Sequence, residues 1–167
     1  FTIGSANVFR LYNDVDDPGS EDDGDVEDPQ VYADRLAKFA NYFVNDMQSP
    51  LIIGLQEVEN IDVLTDLATA ISNAGGPSYT AALEEGNDQG GIDVGYLYQA
   101  NYLSNVSITQ LGAGELHTYD NTLLHDRPPL HLSADVNVGG TLFPVNVLAV
   151  HMRSRGGING SEADRVR

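Results

Sequence analysis

The spacing of apolar positions changes several times along the chain, and each change predicts an element. Thr2–Phe9 reads as a strand. Over Pro29–Asp46 the apolar residues Leu36, Ala40, Phe43 and Met47 recur three or four apart with Pro29 in the first turn, which predicts a helix. Leu51–Gln56 is almost continuously apolar, the pattern of a strand covered on both faces. Ile61, Leu64, Leu67, Ala68 and Ile71 mark a second amphipathic helix, closed by Gly75, Gly76 and Pro77. Tyr79–Leu83 and Ile92–Tyr98 read as strands, the latter entered through Gly90 and Gly91. A stretch without regular period follows. Then Leu130, Leu132, Ala134, Val136 and Val138 alternate with His131, Ser133, Asp135 and Asn137, a half-buried strand, and Gly139-Gly140 turns it into Leu142–His151. Ser161, three residues before Asp164, predicts a helix start near the last residue, Arg167.

Strands and helices thus alternate without an internal repeat, and 167 residues suit one domain with a sizeable core. No apolar run approaches the length of a membrane span. The absence of cysteine removes disulfide scaffolds, thiolate metal sites and cysteine nucleophiles together. Phe1 stands where a methionine would start a chain and no signal peptide is present, so an excised piece of a longer precursor is expected.

Charge is informative by position. Residues 1–126 hold 3 Lys or Arg against 22 Asp or Glu, whereas residues 127–167 hold 5 against 3, within a total of -17. Arg127, Arg153, Arg155, Arg165 and Arg167 therefore offer a local attraction for phosphate on a chain that repels polyanions overall. Between Asp14 and Asp28, 9 of 15 residues are acidic and none is basic, with Pro18, Gly19 and Gly24 breaking any period. This stretch reads as an exposed, solvated loop. A calcium site at Asp22, Asp23 and Asp25 is the alternative, although the spacing does not match the helix–loop–helix calcium motif.

Three polar residues fall where predicted buried strands emerge: Asn7, Glu57 and His151. An unpaired carboxylate at the end of a covered strand is costly, so Glu57 calls for a partner. A magnesium-like ion is one, because hard ions take one or two carboxylates and keep waters for substrate phosphate. An arginine such as Arg127, or simple exposure at the start of the next helix, is the other reading. His151, beside Arg153 and Arg155, is either a donor to a phosphoryl oxygen or a satisfied polar residue. His117, His125 and His131 carry less; His131 falls on the polar face of its strand and His125 in a loop.

Taken in order, Ala6-Asn7-Val8-Phe9, Leu55-Gln56-Glu57-Val58-Glu59-Asn60, Gly91-Ile92-Asp93-Val94-Gly95-Tyr96-Leu97-Tyr98, Arg127-Pro128-Pro129-Leu130 and Val150-His151-Met152-Arg153-Ser154-Arg155-Gly156-Gly157 resemble the endonuclease/exonuclease/phosphatase superfamily. Within it the nearest likeness is to secreted bacterial nucleases. The resemblance runs from about Thr2 to the last residue, with the acidic loop at 14–28 as an insertion. It implies an α+β fold of the DNase I-like type, a four-layer α/β/β/α sandwich, and a phosphodiester hydrolase dependent on Mg2+ or Mn2+.

Residue by residue, the resemblance implies that Glu57 is the metal ligand and that Asn7 helps to hold metal or phosphate. His151 would stabilise the phosphate in the transition state, Arg127 would position substrate, and Asp93 would belong to the catalytic set. Arg153 and Arg155 stand beside His151 for substrate binding. The superfamily's Asp-X-Asn motif, which orients the attacking water, and its C-terminal Asp-His pair have no counterpart up to Arg167. Residues 1–167 are accordingly expected to be the front part of one domain, inactive alone and with exposed apolar edges or a partner fragment. A nuclease acting on DNA or RNA without marked sequence preference, secreted or at the cell surface, is the leading expectation. A phosphatase or phospholipase of the same superfamily is the second, and a calcium-dependent binding module, from another class, the third.

Overall fold

A computed structural model describes residues 1–16 and 26–152. The elements are β1 (Ile3–Leu11), α1 (Pro29–Asn41) continued by a π-type turn (Tyr42–Asp46), β2 (Ile52–Val58), α2 (Ile61–Asn73), β3 (Thr80–Leu83), β4 (Asp93–Tyr98), a short 3-10 turn (Ala100–Tyr102), β5 (Leu103–Gln110), β6 (Leu130–Val138) and β7 (Thr141–Ala149). The first sheet has the order β1-β2-β4-β3 and the second β5-β6-β7. β1 and β2 are parallel and α1 connects them; every other pairing is antiparallel.

Local chemistry starts and stops the helices. The Asp28 carboxylate accepts the amides of Gln30 at 2.9 Å and Val31 at 3.3 Å, and Pro29, which has no amide to satisfy, takes the next position. Glu27 pairs with Arg35 of α1 at 3.1 Å. The end of the acidic stretch is thus fixed in place as a helix cap and its ion pair, not left as solvated loop. α2 is capped by the Asn60 side chain, which accepts the Val63 amide at 3.0 Å, and it ends at Gly75, whose φ of 86° needs a residue without Cβ.

β2 alternates between two cores, as an all-apolar strand should. Ile53 and Leu55 face α1 and α2 with Leu64, Leu67, Ile71, Phe43 and Leu97. Ile52 faces the second sheet with Val94, Tyr96, Leu130, Leu132 and Val136. The described residues therefore form three layers, helices on sheet on sheet, in the α+β class. The fourth, helical layer of the expected sandwich would cover the outer face of the second sheet, and no helix lies there among the described residues. β7 is an edge among them and leaves Leu142, Phe143 and Leu148 exposed.

Tyr96 ties the two sheets together. It is fully buried, and its hydroxyl lies 2.8 Å from the carbonyl oxygen of Leu130 and 2.9 Å from that of Val147, its hydrogen shared between two strands of the other sheet. Removing that hydroxyl deletes the hydrogen bond that the buried ring shares with two strands of the other sheet. Tyr96→Phe is expected to cost about 1–3 kcal/mol in urea unfolding, or roughly 2–4 °C of Tm per kcal/mol for a chain of this size. An unchanged midpoint would mean that both carbonyls are satisfied without the hydroxyl.

Candidate active site

The strand ends that carry Asn7 and Glu57 are the least regular part of the first sheet. Asn7 pairs with Gln56 and Leu11 with Val58, so Val8, Phe9 and Arg10 all stand opposite the single residue Glu57. On the other side Gln56 pairs with Val94 and Val58 with Asp93, so Glu57 is again unmatched. Glu57 lies in a bulge with respect to both neighbours, and bulges re-aim side chains at sheet rims. Its φ of 63° is left-handed, as are those of Phe9 at 56° and Arg10 at 52°. Such backbone costs a non-glycine residue about 1–3 kcal/mol and persists only where surrounding bonds enforce it.

Those bonds converge on the Glu57 carboxylate. Asn7 donates its side-chain amide to Oε1 at 2.8 Å, the Arg10 amide donates to Oε2 at 3.0 Å, and His151 Nε2 stands 3.5 Å from Oε1. Asn7 Oδ1 is engaged in turn by the Phe9 amide at 2.7 Å. In this arrangement Asn7 holds Glu57 and the bulge together. Arg127, the protein partner suggested by the sequence, does not pair with Glu57; it pairs with Asp88 at 3.2 Å.

Asn7, Glu57 and His151 are therefore brought together as a unit, with His151 just past β7. Burial, and then the Arg127 charge, hold the His151 pKa below the ordinary imidazole value, against the opposing pull of Glu57 and Asp88. The imidazole is neutral at neutral pH, and its buried Nδ1 has no hydrogen-bond partner among the described residues. Arg127 is close enough to act on His151 electrostatically, and its own buried Nε likewise lacks a partner there.

Asp93 stands opposite Val58, the residue after Glu57, in the pairing of β2 with β4, and Asp88 acts electrostatically on both Asp93 and His151. Asp93 is buried beneath Gly86, whose amide donates to Oδ2 at 3.0 Å, and it makes no hydrogen bond to Asn7, Glu57, Arg127 or His151. Burial raises its pKa to about 7, against the Gly86 bond, with Glu85 and Asp88 adding to the rise. Through Oδ2 Asp93 also fastens the loop that leads into β4. The same loop donates the Asn87 side chain to the carbonyls of Ala113 at 2.9 Å and His125 at 3.0 Å, and receives the Tyr12 hydroxyl at the Gly90 carbonyl. Arg153 and Arg155, and the candidate calcium ligands Asp22, Asp23 and Asp25, lie outside the described residues. His131 meets Asn146 at 2.9 Å on the outer face of the second sheet.

Supporting residues carry no signal in the sequence. Arg35 reaches from α1 to the carbonyls of Val8 and Phe9, and Asp88 restrains Arg127. Buried Glu59 accepts the Asn13 amide at 2.7 Å and pins the chain just past the bulge. Only Glu59 lies within a sequence motif.

No helix is long and apolar enough to cross a membrane among the described residues. A comparison with curated proteins gave no match. The family model described as "Endonuclease/Exonuclease/phosphatase family" matches residues 2–167, a span that includes every residue of the Asn7–Glu57–His151 unit. The chain belongs to the endonuclease/exonuclease/phosphatase family of hydrolytic enzymes.

Proposed function

We propose that this chain carries the metal-binding residues of a divalent-metal-dependent phosphodiester hydrolase, an exported nuclease acting on DNA or RNA without marked sequence preference. The observation that carries the reading is the convergence on Glu57: a carboxylate on a doubly bulged strand end, oriented by Asn7 and the Arg10 amide and faced by a neutral imidazole. A strand end held at such cost in backbone strain marks a functional position.

The donor set fits Mg2+ or Mn2+. Glu57 offers hard carboxylate oxygens, and among the described residues no three His, Asp or Glu side chains gather into a cage. Magnesium suits a site of one or two carboxylates that leaves room for waters and substrate phosphate. Glu57 would hold the ion, with Asn7 fixing the carboxylate rotamer. When bound, the ion neutralises phosphate charge and lowers the pKa of coordinated water.

The remaining groups bind and orient the substrate. His151 presents a neutral N–H beside Glu57, available to a phosphoryl oxygen that enters there, where it stabilises charge developing in the transition state. Arg127, restrained by Asp88, places a cation next to that imidazole and positions the phosphate. Arg153 and Arg155 add local positive charge for the same polyanion.

The test is plasmid nicking by the full-length protein with magnesium or manganese and with EDTA. Nicking that EDTA abolishes is expected. No nicking, together with phosphate release from inositol phosphates or phospholipids, would replace the nuclease by a phosphatase of the same family.

A further inference from the structure

Between the buried anchors Val8 and Leu11, both 0% exposed, the chain pushes Phe9 out to 78% exposure, the highest of any large apolar residue among those described. The extrusion is built and held. β1 carries two more residues than β2 across this interval. The Phe9 amide is tied to Asn7 Oδ1 at 2.7 Å, its carbonyl to Arg35, and the next amide to Glu57 at 3.0 Å. Arg35 is anchored by Glu27. An exposed phenylalanine in left-handed backbone gains neither packing nor relaxed geometry, so the fold spends free energy to display it at the rim of the Glu57 site. Beside it stands Arg10, also exposed, whose guanidinium has no carboxylate partner among the described residues.

We propose that Phe9 is a base-stacking platform for the nucleotide next to the scissile phosphodiester, with Arg10 on the adjoining phosphate. This rests on the nuclease reading above and narrows its substrate to a strand that bears bases. Stacking suits a nuclease without sequence preference, because every base presents a π face. A membrane surface calls for a contiguous apolar patch or a polybasic cluster. Phe9 has neither in its own segment, since Val8, Leu11 and Tyr12 are all buried.

The chain contains no tryptophan, so Phe9→Trp introduces a sole indole reporter. Binding of a labelled short single-stranded DNA, measured in EDTA to prevent cleavage, is expected to weaken about tenfold in Phe9→Ala, the lower part of the range for losing one stacked base. A matched strand of abasic sugar phosphates should bind Phe9→Ala and wild type alike. Phe9→Trp should restore affinity, and its emission should be quenched by the base-bearing strand only. Equal binding of the base-bearing strand by wild type and Phe9→Ala overturns the proposal. So does indole quenching by phosphatidylserine vesicles without quenching by DNA, which would point to a lipid surface. Plasmid nicking by the full-length protein separates the two levels: if wild type nicks and Phe9→Ala has unchanged KM, stacking alone fails, and if wild type neither nicks nor binds, the nuclease reading fails with it.

Discussion

Glu57→Gln in the full-length protein is expected to lower kcat for phosphodiester hydrolysis about 10²- to 10³-fold, the equivalent of several kcal/mol of lost transition-state charge stabilisation. The fold should survive. Glutamine keeps the side-chain length and one acceptor oxygen, so only one of the bonds from Asn7 and the Arg10 amide must be given up. That loss is worth about 1 kcal/mol, or a few degrees of Tm. Activity and stability therefore separate, as they would not if Glu57 were only the plug of a strained bulge. A variant that retains full activity removes Glu57 from the proposed metal site. One that unfolds before it loses activity assigns the carboxylate to the bulge alone.

The sequence makes this site legible in part. Glu57 is found because a continuous apolar run ends on it, and a charge at the mouth of a doubly covered strand is conspicuous at any register. His151 follows by the same logic from Leu142–Val150, and Asn7 from the first strand. The geometry that joins them is not readable. A bulge leaves composition unchanged and alters only which residues pair, so the count of three residues opposite one at Val8, Phe9 and Arg10 needs the register. Nor does the acidic stretch announce that Asp28 caps a helix and Glu27 pairs with Arg35.

β5 is hidden for a related reason. Leu103, Val106 and Ile108 are its partly buried positions, and the shift of register between Ser104 and Ser107, with Asn105 at a φ of 52°, breaks the period of two. The stretch then reads as irregular. By contrast β6, which pairs with β7 without interruption, is readable residue by residue from its alternation. The helix over Pro29–Asp46 keeps its expected length, but its last turn widens to a π-type turn at Tyr42–Asp46, where Phe43 is fully buried. Asp93 is legible in part: its place in a motif points toward chemistry, and its bond to the Gly86 amide adds a structural contact that no spacing records.

Burial of Asp93 sets a large dependence of stability on pH. The Asp93 carboxyl titrates near 3.8 when unperturbed, and burial raises this to about 7 in the folded chain. Well below pH 4 it is protonated in both states and favours neither. As pH rises toward about 7 the unfolded chain releases the proton and the folded chain retains it, so stability is lost across this window and the loss is complete once the folded carboxyl has also ionised. The Asp93→Asn substitution replaces this carboxyl by an amide that does not titrate. Its side-chain oxygen can still accept the Gly86 amide, and the new NH2 group faces the Glu85 carboxylate that otherwise repels Asp93.

Urea unfolding near pH 8 should therefore show Asp93→Asn more stable than wild type, by an amount of order a few kcal/mol, and the difference should shrink as pH falls and be smallest well below pH 4. His151 acts in the opposite sense: its lowered pKa means that stability falls as pH drops below about 6.5, in wild type and variant alike. The difference between the two proteins isolates Asp93 from that background. An Asp93→Asn variant less stable than wild type near pH 8 would mean that the folded site holds Asp93 as a bonded carboxylate. A stabilised variant that keeps full hydrolytic activity assigns Asp93 to the loop it fastens.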